Sequence, residues 1–188
     1  MKYLVCVLTA VTLLGACGGG GGGGSDGVPG SWAGLRDQAL RLDEEWANTD
    51  YTEHAQMRQS GTATYRGVAE YGMYVEDGYV AGGVLSSAEM QANFSDATIS
   101  GRLHNFQAHD RTPISGEVAI RDGVITGAEY AAELAGELSA RGESATVSGN
   151  VYGDFLGGRA EMVDGYIDMM VEYEEGAEYL DGFMVLRQ

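Results

Sequence analysis

The sequence predicts an all-β fold: an eight-stranded antiparallel soluble β-barrel preceded by a short N-terminal amphipathic helix. Three observations carry this. From Gly61 onward, small and apolar residues alternate with polar ones. Gly, Asp and Ser pairs punctuate that alternation often enough to delimit about eight strands. No stretch between them has the period of a crossover helix, so the connections are antiparallel, and closing the sheet removes its exposed edges.

The elements follow in chain order. Residues 31–48, SWAGLRDQALRLDEEWAN, place Leu35, Ala39, Leu42 and Trp46 near a period of 3.6, with Ser31 as the cap and Asp37, Arg41 and Glu44 on other faces. One apolar stripe requires a partner surface, and the sheet that follows supplies it. Thr49 to Gln56 is polar and reads as a loop. In Gly61 to Glu76 the odd positions Ala63, Tyr65, Gly67, Ala69, Tyr71, Met73 and Val75 form one face, and a bend is expected at Gly67 or Gly72. Asp77-Gly78 reads as a turn. Ala88, Met90, Ala92 and Phe94, then Ala97, Ile99, Gly101 and Leu103 across Ser95-Asp96, form a hairpin. Ile114, Gly116, Val118 and Ile120 share a face, Arg121-Asp122-Gly123 is expected to turn, and Val124 to Tyr130 returns. Leu134 and Leu138 continue the meander. Thr146–Tyr152, Ala160–Tyr166, Ile167–Tyr173 and Phe183–Leu186 complete it. Arg66, Glu70, Arg102 and Glu117 lie opposite the apolar set, which disfavours a membrane-spanning barrel, whose outward face must be an apolar band.

The first 30 residues are of a different kind. Lys2 precedes the apolar run Tyr3 to Leu14, which is shorter than the ~20 residues a spanning helix needs and reads as a secretory signal. Leu14-Gly15-Ala16-Cys17 resembles the bacterial lipobox, and that resemblance implies cleavage after Ala16 and lipidation of Cys17. Gly18 follows the cysteine in place of the Asp that commonly retains enterobacterial lipoproteins at the inner membrane, so the outer membrane of a Gram-negative cell is expected. Multiple acyl chains would hold permanently where one gives only marginal binding. The domains expected are residues 1–16 as signal, 17–30 as lipidated Cys and Gly-rich tether, 31–56 as helical segment and loop, and 57–188 as barrel. The tether opens with seven glycines in a row and has too few side chains to bury anything. Cys6 falls within the signal, which leaves Cys17 alone and no disulfide in the mature chain.

Removing the signal leaves 188 − 16 = 172 residues, with 11 − 1 = 10 basic and 28 acidic side chains, a formal charge of 10 − 28 = −18. That balance argues against nucleic acid and against anionic membrane surfaces. It is compatible with a solvated surface or with a basic partner.

Ser60 to Gly67, Ala92-Asn93-Phe94, Ile99 to Leu103, Val147-Ser148-Gly149-Asn150-Val151-Tyr152-Gly153 and the ending Gly182 to Gln188 look like the β-barrel domain of transferrin-binding protein B and its relatives. The resemblance covers residues 57–188. It implies a surface lipoprotein with an eight-stranded barrel, in a family some of whose members capture iron carriers, haem proteins or complement regulators. This chain departs from the bilobed pattern: it has one barrel, and before it only a short helix. It also has Asp154-Phe155-Leu156-Gly157-Gly158 where the family usually carries a proline and an alanine after Tyr-Gly. No ligand residue carries over, because the shared motifs are scaffold positions.

No catalytic, cofactor or metal constellation stands out. His104, His109 and Asp110 are the nearest thing to a ligand cluster for metal or haem, but they lack motif spacing and read as solvated groups. Glu172, Glu174, Glu175 and Glu178 read as a hairpin tip and lack the order of a calcium loop. Ser60, Ser100, Ser115 and Ser148 lie in no nucleophile elbow. Tyr71, Tyr130, Tyr152 and Tyr166, among eleven tyrosines, either line a ligand mouth or are half-buried strand residues. The expectation is a membrane-anchored, non-catalytic module that binds a protein or an iron or haem source, with a periplasm-facing accessory lipoprotein as the alternative.

Overall fold

The computed structural model describes residues 31–75, 78–110 and 112–188. The signal, Cys17 and the tether lie outside the described residues, as does Asp77 of the first expected turn. One helix, α1 (Trp32–Trp46), is followed by eight strands: β1 (Thr62–Val75), β2 (Gly78–Asn93), β3 (Thr98–Ala108), β4 (Ile114–Thr126), β5 (Glu129–Ala140), β6 (Glu143–Leu156), β7 (Met162–Tyr173) and β8 (Gly176–Arg187). Each strand pairs antiparallel with the next, and β8 pairs with β1, closing the barrel. The all-β, eight-stranded antiparallel class read from the alternation is the class observed.

The inward phase of every strand fills the barrel. Tyr65, Tyr71, Phe106, Tyr130 and Phe155 fill the interior with Met90, all at most 3% exposed. An eight-stranded barrel is just wide enough for its own side chains, and here six large ones take that space. The outward phase carries an ion chain across β1 to β4: Arg66 to Glu89 at 2.8 Å, then Arg102 bridging Glu89 and Glu117 at 3.2 Å each. An apolar inside and a charged outside are the inverse of a lipid-facing barrel. No helix among the described residues is long and apolar enough to cross a membrane.

β1, β2, β7 and β8 are buried on both faces along one flank. Val68, Leu85, Met162 and Val185 point outward there and are covered by Leu35, Ala39 and Leu42 of α1. Ser31 caps the helix, its hydroxyl accepting from the Gly34 N–H at 3.2 Å. The expected loop 49–56 contains one 3₁₀ turn, His54–Gln56, and runs across the barrel end opposite the β3–β4 and β7–β8 turns. There the Thr52 N–H donates to the Phe155 carbonyl at 2.8 Å, and Met57 enters the core.

Three local expectations are corrected. Arg121-Asp122-Gly123 is a bulge inside β4, where the pairing with β5 shifts register and Asp122 takes φ 53°, a left-handed conformation Asp tolerates. The true β4–β5 turn is two residues long and centred on Gly127, at φ 66°. Ala160–Tyr166 and Ile167–Tyr173 are one strand, with Val163, Ile167, Met169 and Val171 all directed inward. Ala97 belongs to the β2–β3 turn, at φ 53° and exposed, so the inward phase resumes at Ile99. The expected bend in β1 occurs at Gly72, where the register with β2 shifts between Tyr71 and Met73.

Candidate functional site

The strand period divides the four tyrosines singled out from the sequence into two pairs. Tyr71 and Tyr130 are buried in the barrel, with hydroxyls bonded to Ser86 Oγ at 2.9 Å and to the Asp164 carbonyl at 2.7 Å. Burial pushes both phenols well above their usual range. Tyr152 and Tyr166 stand on the outer surface, 50% and 57% exposed.

These two outer rings begin a row. Tyr152 of β6 lies opposite Tyr166 of β7, which lies opposite Phe183 of β8, all on the outward face. Tyr152 and Tyr166 stack with centroids 6.0 Å apart, Tyr166 meets Phe183 at 5.1 Å, and Phe183 meets Trp46 of α1 edge-on at 5.3 Å. Trp46 is fixed at the other end, where its Nε1–H donates to Oδ2 of the buried Asp164 at 2.9 Å. Asp164 Oδ1 accepts from the Asp154 N–H at 2.9 Å. Tyr51, joined to Leu156 at the end of β6 by an isolated bridge, is 58% exposed. The Asp164 carboxylate, together with desolvation, holds its phenol above the ordinary value.

Between α1 and this row lies a depression of about 560 Å³. Its floor is apolar, with Val68 and Val185, and its walls carry Asp43 and Glu70 on one side and Asp168 and Asp181 on the other. Asp168 and Asp181 are direct cross-strand partners. Like charges so placed destabilise a sheet. Among the described residues none of the four carboxylates forms an ion pair, although Arg36 offsets part of the repulsion at Glu70. Desolvation raises the carboxyl of Asp43, and desolvation together with the Asp43 charge raises that of Glu70.

A raised carboxyl makes the folded state hold its proton more tightly than the unfolded chain does. Stability from this source is therefore present at acid pH and lost as pH rises through the raised values. The double variant Asp43→Asn, Glu70→Gln is expected to melt higher than the parent at neutral pH and to flatten the fall in melting temperature as the pH rises above the ordinary carboxylate range. Parallel melting curves for the two proteins across that rise in pH would refute this origin.

The other candidates are not brought together. His104 lies on β3, its imidazole pushed below the usual range by burial and by Arg102, whereas His109 packs edge-on against Trp32 at 4.8 Å. The Asp110 carboxylate is occupied by the Thr112 N–H and hydroxyl and by Arg141, each at 2.9 Å. Among the described residues no group of His, Cys, Asp and Glu is arranged to hold a metal ion. Ser60, Ser100, Ser115 and Ser148 are exposed, and Glu172, Glu174, Glu175 and Glu178 sit at the exposed β7–β8 tip. The aromatic row escaped the sequence reading because Trp46, Tyr152, Tyr166 and Phe183 meet only through strand register. The available signal was apolar residues in both phases, at Phe183 to Leu186.

No protein-family model matches the chain, and no curated protein sequence matches it. Solved structures do. A single-site mutant of the vaccine antigen transferrin binding protein B from Haemophilus parasuis Hp5 aligns over 73% of this chain at 18% identity, with a TM-score of 0.50. Intact Ap-TbpB, with its N and C lobes, aligns over 73% at 16% identity, also with a TM-score of 0.50. A protein described as a surface lipoprotein aligns over 73% of this chain and 64% of its own at 12% identity, with a TM-score of 0.40. The present chain covers 28% of each of the two transferrin binding proteins. At these identities the likeness is one of fold, in keeping with the resemblance at residues 57–188. The described residues form an eight-stranded barrel of the transferrin binding protein B type.

Proposed function

We propose that this protein is a lipid-anchored, non-catalytic binding module on the outer membrane of a Gram-negative cell, held through Cys17 by the tether 18–30 and capturing a protein ligand or a protein that carries iron or haem. The observation that supports it best is the division of the aromatic residues. The barrel interior is filled by side chains such as Tyr65, Tyr71 and Phe155, while Tyr51, Tyr152 and Tyr166 are left at least half exposed on one flank. A filled barrel directs binding to its outer surface. Exposed tyrosines that are amphipathic and cost little rotamer entropy are characteristic of protein interfaces. The barrel likeness to transferrin binding protein B and the Leu14-Gly15-Ala16-Cys17 lipobox point the same way.

The test is fractionation and surface proteolysis of cells making the full chain. The parent is expected in the membrane fraction and cleaved by protease added to intact cells. Cys17→Ser is expected to fold and to leave the membrane fraction. Retention of Cys17→Ser in membranes would overturn the anchor. Complete protection of the parent until the outer membrane is opened would overturn surface presentation and favour the periplasm-facing accessory role.

A further inference from the structure

We propose that the trough between α1 and strands β6 to β8 binds an extended, basic segment of a partner protein, seating Lys and Arg side chains on the Tyr152–Tyr166–Phe183 row between the carboxylates of Asp43 and Glu70 on one wall and Asp168 and Asp181 on the other. This rests on the binding-module reading and names the chemistry its ligand must have.

Charge complementarity selects the occupant. The floor is apolar and the rings of Tyr152, Tyr166 and Phe183 line it; ammonium and guanidinium groups are attracted to aromatic rings at centroid distances within about 6 Å. The walls add four carboxylates without an ion pair among the described residues, two of them facing each other across β7 and β8. Some acidic residues elsewhere on the outer surface are matched, Glu89 and Glu117 by Arg66 and Arg102, Asp110 by Arg141, and Glu45 by Arg187, but none of these lies beside an exposed aromatic row. A cross-strand Asp–Asp pair is unfavourable for the isolated fold. A cation laid between the two aspartates removes the repulsion. The whole chain, at −17, also steers basic partners inward from a distance.

The shape selects a polypeptide over a small cation. Tyr51 does not line the 560 Å³ depression, yet it is 58% exposed and lies within electrostatic reach of the Tyr166 phenol. A molecule that fills the depression alone leaves Tyr51 in water, whereas a chain continuing past Tyr166 toward the end of β6 covers it. The barrel is closed, so the segment has no free strand edge to extend and must bind through its side chains.

The experiment titrates the full chain, purified from membranes in detergent, with a fluorescent twelve-residue peptide of alternating Arg and Ser. Its Glu-Ser counterpart, arginine amide and tetramethylammonium serve as the other probes. The Arg-Ser peptide is expected to bind, the Glu-Ser peptide not, and the two small cations to compete only at concentrations at least a hundredfold higher. Tyr166→Ala, and separately Asp168→Asn with Asp181→Asn, are each expected to weaken peptide binding at least tenfold. Glu133→Gln with Glu137→Gln, which removes the same charge from the outer face of β5, is expected to change it less than twofold. Circular dichroism and melting curves establish that every variant is folded.

Equal weakening by the β5 and β7–β8 pairs would mean diffuse attraction to an acidic surface and would overturn the proposal. Small cations as potent as the peptide would overturn it in favour of a small-molecule site. A protein captured by the parent and equally by Tyr166→Ala would sink the trough while leaving the binding-module reading intact. Failure of the fractionation and proteolysis test would strike that reading alone.

Discussion

Phe155→Ala is expected to be the most damaging single substitution, lowering the free energy of unfolding by about 3–5 kcal/mol. Phe155 is fully buried and lies near one end of the barrel with three aromatic partners, Phe94 at 5.7 Å, Tyr130 at 5.9 Å and Tyr65 at 6.0 Å. Its backbone is pinned as well, the N–H donating to the Ala128 carbonyl and the carbonyl accepting from Thr52, both at 2.8 Å. Residues from β1, β5 and the β2–β3 turn therefore converge on one ring. The backbone around it cannot collapse far, so truncation leaves a cavity and the cost falls at the upper part of the range for buried aromatics. For a domain of this size the melting temperature should fall by roughly 10 °C or more. Phe155→Leu, which keeps most of the volume, should cost less than half as much. Urea unfolding of the three proteins measures this, and a loss below about 1 kcal/mol for the alanine variant would show that the ring is not the centre of the core.

Asp164→Ala is expected to cost about 3 kcal/mol and to loosen α1 before the barrel opens. The carboxylate is 3% exposed and accepts from the Trp46 indole and the Asp154 N–H, each at 2.9 Å. Bonds to an ionised acceptor contribute about 1.5–3 kcal/mol, and removing the acceptor leaves two donors short of partners. Asp164→Asn keeps one acceptor oxygen and should cost markedly less. Two measurements separate local from global damage. Emission from Trp46 should shift to the red, and the amides of 32–46 should exchange faster in Asp164→Ala while those of β5 and β6 keep their protection. Uniform acceleration across all strands would mean that Asp164 supports the barrel generally and does not act as the clasp of the helix.

Much of the architecture was legible because barrel strands repeat a period of two that composition cannot disguise. Ala63, Tyr65, Ala69 and Tyr71 in β1, and Val118 and Ile120 in β4, went to the interior as their phase required. The helix was legible from Leu35, Ala39 and Leu42. Errors arose where a local signal had two meanings. Arg121-Asp122-Gly123 has the composition of a turn, and Asp122 adopts the left-handed backbone a turn would use, but pairing resumes beyond it and the chain only bulges. In β7, Gly165 between Asp164 and Tyr166 resembles a break. That glycine is needed because a Cβ there would run into the Tyr130 hydroxyl from inside the barrel. Of the trough, only Tyr152 and Tyr166 were legible, as tyrosines that either line a ligand mouth or are half-buried strand residues. Trp46 and Phe183 are 137 residues apart in sequence and 5.3 Å apart in space, a proximity that only the β6–β7–β8 register and the docking of α1 create. Opposed aspartates are likewise invisible until the register puts Asp168 beside Asp181.

The way α1 lies on the barrel also governs how the domain bears load. The helix begins at Trp32 against His109, beside the β3–β4 turn, and ends at Trp46 and Glu45 against Asp164 and Arg187, near the opposite rim. A pull applied along the helix axis is resisted by Leu35, Ala39 and Leu42 side by side with the two tryptophans. The contact behaves as a lap joint in shear, in which every bond must yield together, whereas a helix entering from the other rim would peel away one turn at a time. Load applied along the helix axis would therefore reach the wall of the barrel before it detached the helix.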